Sequence, residues 1–229
     1  MTTFVLIHGA YQGGWIWKPT AEQLVAKGHR VLTPTLDGCA ERKNQVRAGI
    51  TTESHADEIA GLLFYEDLKD VVLVGTSTGG MVMARAAELA RERVARVVFA
   101  DALALRNGEA LPDIVKRPTA VNTELTTGQA REDFENRLFK DFDPALRKWA
   151  VERCTMHPIA TMTKPVKLER FWDLPWNASV IWCKQSTNPP VAHQRRCCDT
   201  LKGRWHELDT GHYPMLSEPA ALARLIAEG

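Results

Sequence analysis

The stretch Val71-Val72-Leu73-Val74-Gly75-Thr76-Ser77-Thr78-Gly79-Gly80-Met81-Val82-Met83-Ala84-Arg85 decides the fold. It opens as an apolar, β-branched run, passes through a Gly-x-Ser-x-Gly pentapeptide, and continues as an Ala-rich, helix-prone segment. The pattern predicts a strand, a tight turn that carries Ser77, and a helix. On so sharp a bend, side chains two positions to either side of the serine would collide, and Gly75 and Gly79 remove them. The bend lifts the hydroxyl clear of the sheet and aims the first helical amides at whatever the hydroxyl attacks. Ser77 is therefore a candidate nucleophile.

Outward from this turn, strands and helices alternate. Phe4 to Ile7 reads as a buried strand that runs into the Gly-rich loop His8-Gly9-Ala10-Tyr11-Gln12-Gly13-Gly14-Trp15-Ile16-Trp17. A helix follows at about Pro19 to Ala26, Gly28 ends it, and Arg30 to Thr33 makes a second strand. Ile59, Leu62 and Leu63 fall at helical spacing within Thr51 to Leu68, with Thr52 or Ser54 as plausible caps. Val94 to Ala100 is a further strand that ends in Asp101. Later, Val180 to Cys183 and Arg204 to Leu208 read as strands around a helix at about Pro190 to Leu201. His212 lies in the loop beyond, and Ser217 with Pro219 opens the last helix. Such alternation without an internal repeat predicts an α/β fold, a mainly parallel sheet with helices on both faces. In these sheets ligand chemistry gathers at the carboxyl ends of the strands, where His8-Gly9, Ser77 and Asp101 all lie.

Between residues 102 and 177 the rhythm changes. Prolines, mixed charge and bulky residues such as Phe134, Phe139, Phe142, Trp149, Phe171 and Trp176 replace the alternation, and no strand is evident until Ser179. We expect residues 1–101 and 178–229 to form the core, and 102–177 to form a helical cap over its active end. Most of these aromatics are expected to pack the cap's own small core. A pocket wall needs only a few of them, and the candidates are Tyr11, Trp15, Trp176 and Tyr213.

Composition narrows the classes of function. The chain has 229 residues, enough for one sizeable α/β domain plus an insertion. Its net charge is +1 with cations and anions interspersed, so no basic face argues for nucleic acid and no polybasic run for a membrane surface. A small, uncharged or weakly charged ligand fits better. The N-terminal apolar run is only strand length and has no basic region before it, which predicts neither a signal peptide nor a spanning helix and points to the cytoplasm. The five cysteines, Cys39, Cys154, Cys183, Cys197 and Cys198, lack metal-like spacing and are expected to be reduced thiols.

Taken together, three motifs carry a resemblance. Val5-Leu6-Ile7-His8-Gly9-Ala10 with Gly13-Gly14-Trp15-Ile16-Trp17, then Gly75-Thr76-Ser77-Thr78-Gly79-Gly80, then Gly211-His212-Tyr213-Pro214-Met215-Leu216-Ser217, occur in this order. Over nearly its whole length the chain resembles the α/β-hydrolase superfamily, in particular its compact esterase and hydroxynitrile lyase branch. The resemblance implies Ser77 as nucleophile, His212 as general base, and the backbone amides of Ala10 and Thr78 as the oxyanion hole. It implies a small-molecule acyl substrate, no cofactor and no metal, and leaves a monomer or a homodimer open. For His8 a structural role, holding loops by hydrogen bonds, is the expectation.

At the third triad member the sequence departs from the pattern. The acid of this superfamily usually follows the strand that corresponds to Val180–Cys183, where this chain reads Lys184-Gln185-Ser186-Thr187-Asn188-Pro189-Pro190. Ser186 stands where Asp is expected. Some branches place the acid at the end of the strand after the elbow helix, which is Asp101 here. Alternatively Ser186 or Asn188 gives His212 a neutral hydrogen bond, or the triad has decayed and the protein is not a hydrolase. The expected reaction is hydrolysis of an ester or lactone through a seryl intermediate. A hydroxynitrile lyase or a ligand-binding protein is the alternative, although such lyases carry a hydroxyl residue in place of Gly9 and a lysine in place of Tyr213.

Overall fold

The computed structural model describes residues 1–116 and 119–228. Along the chain the strands are β1 (Thr3–Ile7), β2 (Arg30–Leu32), β3 (Val71–Ser77), β4 (Val94–Ala102), β5 (Ala120–Asn122), β6 (Thr126–Gln129), β7 (His157–Pro158), β8 (Asn177–Cys183) and β9 (Arg204–Leu208). The longer helices are α1 (Lys18–Ala26), α2 (Thr52–Tyr65), α3 (Gly79–Leu89), α4 (Pro144–Val151), α5 (Val191–Leu201) and α6 (Pro219–Glu228). Six strands make one sheet in the order β2-β1-β3-β4-β8-β9, every pair of neighbours parallel. The chain winds outward from β1 to β2, then returns past β1 to β3 and winds the other way. Because parallel crossovers keep one hand, this reversal puts helices on opposite faces, α1 packed with α6 and α2 with α3. It also opens a crevice beyond the carboxyl ends of β1 and β3, the place where sheets of this kind bind ligands.

Local chemistry fixes the elements. In β3 every residue from Val71 to Thr76 is buried, as befits a central strand covered on both faces. Helix α2 is capped by Thr51 rather than by Thr52 or Ser54: the Ser54 amide donates to Thr51 Oγ1 at 3.3 Å and the Thr51 amide to Ser54 Oγ at 2.9 Å. This reciprocal pair satisfies two of the amides that a helix start leaves without partners.

One irregularity matters for the site. Strand β4 keeps step with β3 from Val72 opposite Arg96 to Thr76 opposite Ala100, but Ser77 then faces Ala102. Asp101 is the extra residue, in left-handed backbone at φ 46°. Such a bulge re-aims a side chain out of the alternation of its strand.

Residues 103–176 leave the sheet between β4 and β8. A strand-free, helical cap was expected there, and that expectation needs correction: β5, β6 and β7 form an antiparallel sheet beside short helical turns and α4. These strands span only two to four residues each. They are too short for an alternating pattern, and while β5 and β6 pair as neighbours in the chain, β7 joins them from across the rest of the insertion, Thr126 opposite Pro158. The cap's aromatics pack mainly on one another, Phe139 against Phe142 at 5.0 Å and Phe171 against Trp176 at 5.2 Å. They meet the core at Tyr213 and Tyr11, which lie 4.8 Å from Phe139 and 5.6 Å from Phe134. Among the described residues no helix is long and apolar enough to cross a membrane.

Candidate active site

Ser77 ends β3 with φ 50°, a conformation that costs a non-glycine residue about 1–2 kcal/mol and persists where the surroundings impose it. Those surroundings are glycine contacts. A Cβ on Gly79 would lie 2.5 Å from the Ile7 carbonyl oxygen, and one on Gly75 would lie 2.7 Å from that of Gly79. Gly9 is equally constrained, because a Cβ there would stand 2.7 Å from Ser77 Cβ. The loop after β1 thus lies directly against the serine. Tyr11, at φ 69°, turns the same loop so that Ala10 and Tyr11 reach the cavity.

His212 follows β9 and meets the bulged residue of β4. Its Nδ1 lies 2.5 Å from Asp101 Oδ2, and Asp101 is fully buried. The other carboxylate oxygen accepts from Gln194 Nε2 at 2.7 Å and from the Cys183 amide at 3.3 Å. That amide lies just past the end of the β4–β8 ladder, so the carboxylate takes the place of a strand partner. Burial and the nearby Asp101 and Asp141 carboxylates push the Cys183 thiol well above its ordinary range, which keeps it protonated. With the proton of the charge-assisted pair on Nδ1, the opposite ring nitrogen of His212 is the basic one.

Ser77, Thr78, Ala10 and His212 line one cavity of about 140 Å³. Tyr11, Leu103, Leu111, Leu138, Met162 and Tyr213 form apolar wall, and the Gln185–Pro189 loop forms a polar one. Cationic Lys116, Arg137 and Lys140 and anionic Asp141 lie around it. Ser77, His212, Ala10 and Thr78 thus border one small cavity whose wall is largely apolar.

Of the sequence-derived candidates, the structure brings Ser77, His212, Asp101, Ala10, Thr78, Tyr11 and Tyr213 to this region. Ser186 lines the cavity, but its hydroxyl donates to the Asn188 carbonyl at 3.1 Å. Trp15 and Trp176 do not line it. Trp15 lies on the outer side of its loop with its ring 5.4 Å from Trp149, against the groove beside α1 and β2. Trp176 is buried on Phe171, donates to the Phe171 carbonyl at 2.8 Å, and lies beneath the Arg91 guanidinium. Both are aromatic residues whose destination was set by packing. His8 is a clamp: its Nε2 accepts from the Leu36 amide at 3.0 Å, so Nδ1 carries the proton and donates to the Gly9 carbonyl at 2.8 Å. Burial lowers its pKa to about 4, which keeps it neutral. Sequence reasoning missed Gln194, whose contact with Asp101 spans two elements and has no motif.

Residues 4–225 match the family model described as "Alpha/beta hydrolase family". The carbendazim hydrolyzing esterase of Nocardioides sp. (strain SG-4G) is 34% identical over 179 residues, 73% of this chain and 74% of that protein. Methylesterase 3 of Arabidopsis thaliana is 30% identical over 142 residues, 61% of this chain and 51% of that protein, so the match spans about half its length. In overall shape the chain is similar to an extracellular alpha/beta-hydrolase from a Paenibacillus species, with TM-score 0.86 and 23% identity over 100% of this chain and 98% of that one. That likeness speaks for the fold.

Proposed function

This chain belongs to the alpha/beta hydrolase family, and from that premise we propose that it cleaves a carboxylic ester or lactone of a small apolar or aromatic substrate through a seryl acyl-enzyme. The observation that carries the reading is the 2.5 Å contact between His212 and the buried Asp101 at the edge of a cavity lined by Ser77. The relatives named for ester hydrolysis support it.

In the proposed reaction the free ring nitrogen of His212 takes the Ser77 proton as Oγ bonds to the ester carbon. The carbonyl oxygen becomes an oxyanion, met by the amides of Ala10 and Thr78. As the tetrahedral species collapses, His212 returns the proton to the leaving alkoxide and the alcohol departs. Water then attacks the acyl-enzyme with the same base, releasing the acid and restoring Ser77. Asp101 holds the imidazole in one tautomer and stabilises the imidazolium formed in each half. Gly9 favours this reading over cyanohydrin cleavage, since a hydroxyl side chain at that position would need Ser77 to move.

An active-site phosphonate tests the proposal by intact-mass analysis. Labelling should reach one equivalent, map to Ser77 and vanish in Ser77→Ala, together with turnover of a panel of aryl esters, alkyl esters and lactones. Folded protein that takes up no label would overturn the hydrolase reading.

A further inference from the structure

We propose that Gln194 is a positioning residue of this site: its side-chain amide orients the Asp101 carboxylate and joins it to the loop that forms the polar wall of the cavity. The inference rests on the catalytic reading of Ser77, His212 and Asp101.

Asp101 is fully buried, and among the described residues its one ion-pair partner is His212. The charge is therefore supported by hydrogen bonds. Gln194, on α5 and 1% exposed, gives the shorter of the two bonds to Oδ1, 2.7 Å against 3.3 Å from the Cys183 amide. Its second amide proton goes to the Pro189 carbonyl at 3.1 Å. Both protons of one nitrogen are thus committed, one to the acid and one to the end of the Gln185–Pro189 wall. The opposite orientation would set the Gln194 carbonyl oxygen against a carboxylate and a carbonyl, with acceptors facing acceptors, so the neighbours dictate which way the amide points. This orientation leaves Gln194 Oε1 buried without a hydrogen-bond partner among the described residues. A side chain that only filled space would not need to strand its own acceptor. The loop from Lys184 to Pro190 has no carboxylate of its own, and the helix that follows it reaches back to the acid on β4.

Gln194 draws electron density from Oδ1 and fixes the plane in which Oδ2 faces His212. Without it Asp101 becomes more basic and binds the imidazolium proton more tightly. The low-pH loss of activity then moves to higher pH.

The test compares wild type with Gln194→Met, which keeps the volume and removes the donor, and Gln194→Glu, which keeps the shape. Two readouts are taken: the pH dependence of kcat and KM on an aryl acetate, and proton NMR of the His212 Nδ1 proton, assigned by its loss in His212→Ala. In Gln194→Met, kcat should fall about 10- to 100-fold with KM nearly unchanged, as for other groups that orient a reactive side chain. The acidic limb of the pH profile should move to higher pH, and the Nδ1 proton resonance should change with it. Gln194→Glu donates one O–H to Asp101 while it stays protonated. It should recover part of the rate and add an alkaline loss of activity as that proton leaves. A folded Gln194→Met variant with unaltered kcat and Nδ1 resonance, or with only KM changed, would reduce Gln194 to a brace for the loop and overturn the proposal. If Gln194→Met does not fold, Gln194→Glu without a new alkaline limb does the same. The NMR measurement needs no substrate. A wild type that resists phosphonate labelling therefore marks failure of the hydrolase reading and leaves the Gln194 test separate.

Discussion

Asp101 sits where β4 falls out of step with β3, and that single extra residue turns its carboxylate from the strand's alternation toward His212. Asparagine there would keep the shape but could present an N–H to the ring and favour the wrong tautomer. Asp101→Asn is expected to lower kcat by about 10³- to 10⁴-fold in steady-state assays, the scale of loss when a triad acid is neutralised. Ser186→Ala should stay within about threefold of wild type, because the Ser186 hydroxyl is bonded to Asn188 and the loss is that of one polar wall contact. The reverse pair of results, turnover intact in Asp101→Asn and abolished in Ser186→Ala, would move the supporting role to the loop. Of the three options open in the sequence, the geometry favours Asp101. No motif could have chosen it, because its contact with His212 spans 111 positions.

At the level of elements, the strand-turn-helix of β3 and α3 is legible in the sequence because every constraint on it is local. Gly79 packs its Cα against the carbonyls of Ile7 and His8, which are backbone and cannot swing aside. Gly79→Ala should destabilise the fold by about 2–4 kcal/mol in urea unfolding, in the range of overpacking and backbone-strain substitutions, and should abolish phosphonate labelling. Gly61, inside α2, provides the contrast, since a Cβ there meets nothing within 4 Å. Gly61→Ala should raise stability by about 0.5–1 kcal/mol, because alanine loses less backbone freedom on entering a helix, and should leave activity unchanged. The cap strands β5 to β7 were illegible because each is only two to four residues long and β7 joins β6 from far along the chain. Trp15 and Trp176 were misplaced because an aromatic's type says that it will be buried, and only its neighbours decide where.

For the whole molecule, buried histidines link stability to pH, His8 and His193 among them, with His55 lowered by burial as well. His8 holds the loop after β1 to Leu36, and His193 accepts from the Ala104 amide at 2.9 Å, tying the start of the cap to α5. Burial lowers each to about 4, with Arg196 adding to the effect at His193. The unfolded chain, with histidines near the ordinary 6.5, therefore takes up protons first. Stability present above pH 6.5 is lost as pH falls toward 4. Urea unfolding at pH 5 should show roughly 2–4 kcal/mol less stability than at pH 7.5 for the two groups together. His193→Leu should lessen the pH dependence even if its overall stability is lower. A stability flat between these pH values would show that the rings are not held neutral.

Order along the chain was enough to determine the alternating α/β architecture, the serine on its turn, the Gly-rich loop beside it and the histidine after the last strand. Each is written in contiguous residues, where steric demands on the backbone act over a few positions. Tertiary structure decided which carboxylate holds the histidine, which aromatics reach the cavity, and that a glutamine from a following helix supports the acid. Those choices depend on register, bulging and packing between segments far apart in sequence. They arise when β4, β8 and the His212 loop are brought side by side, and no local pattern of residues encodes them.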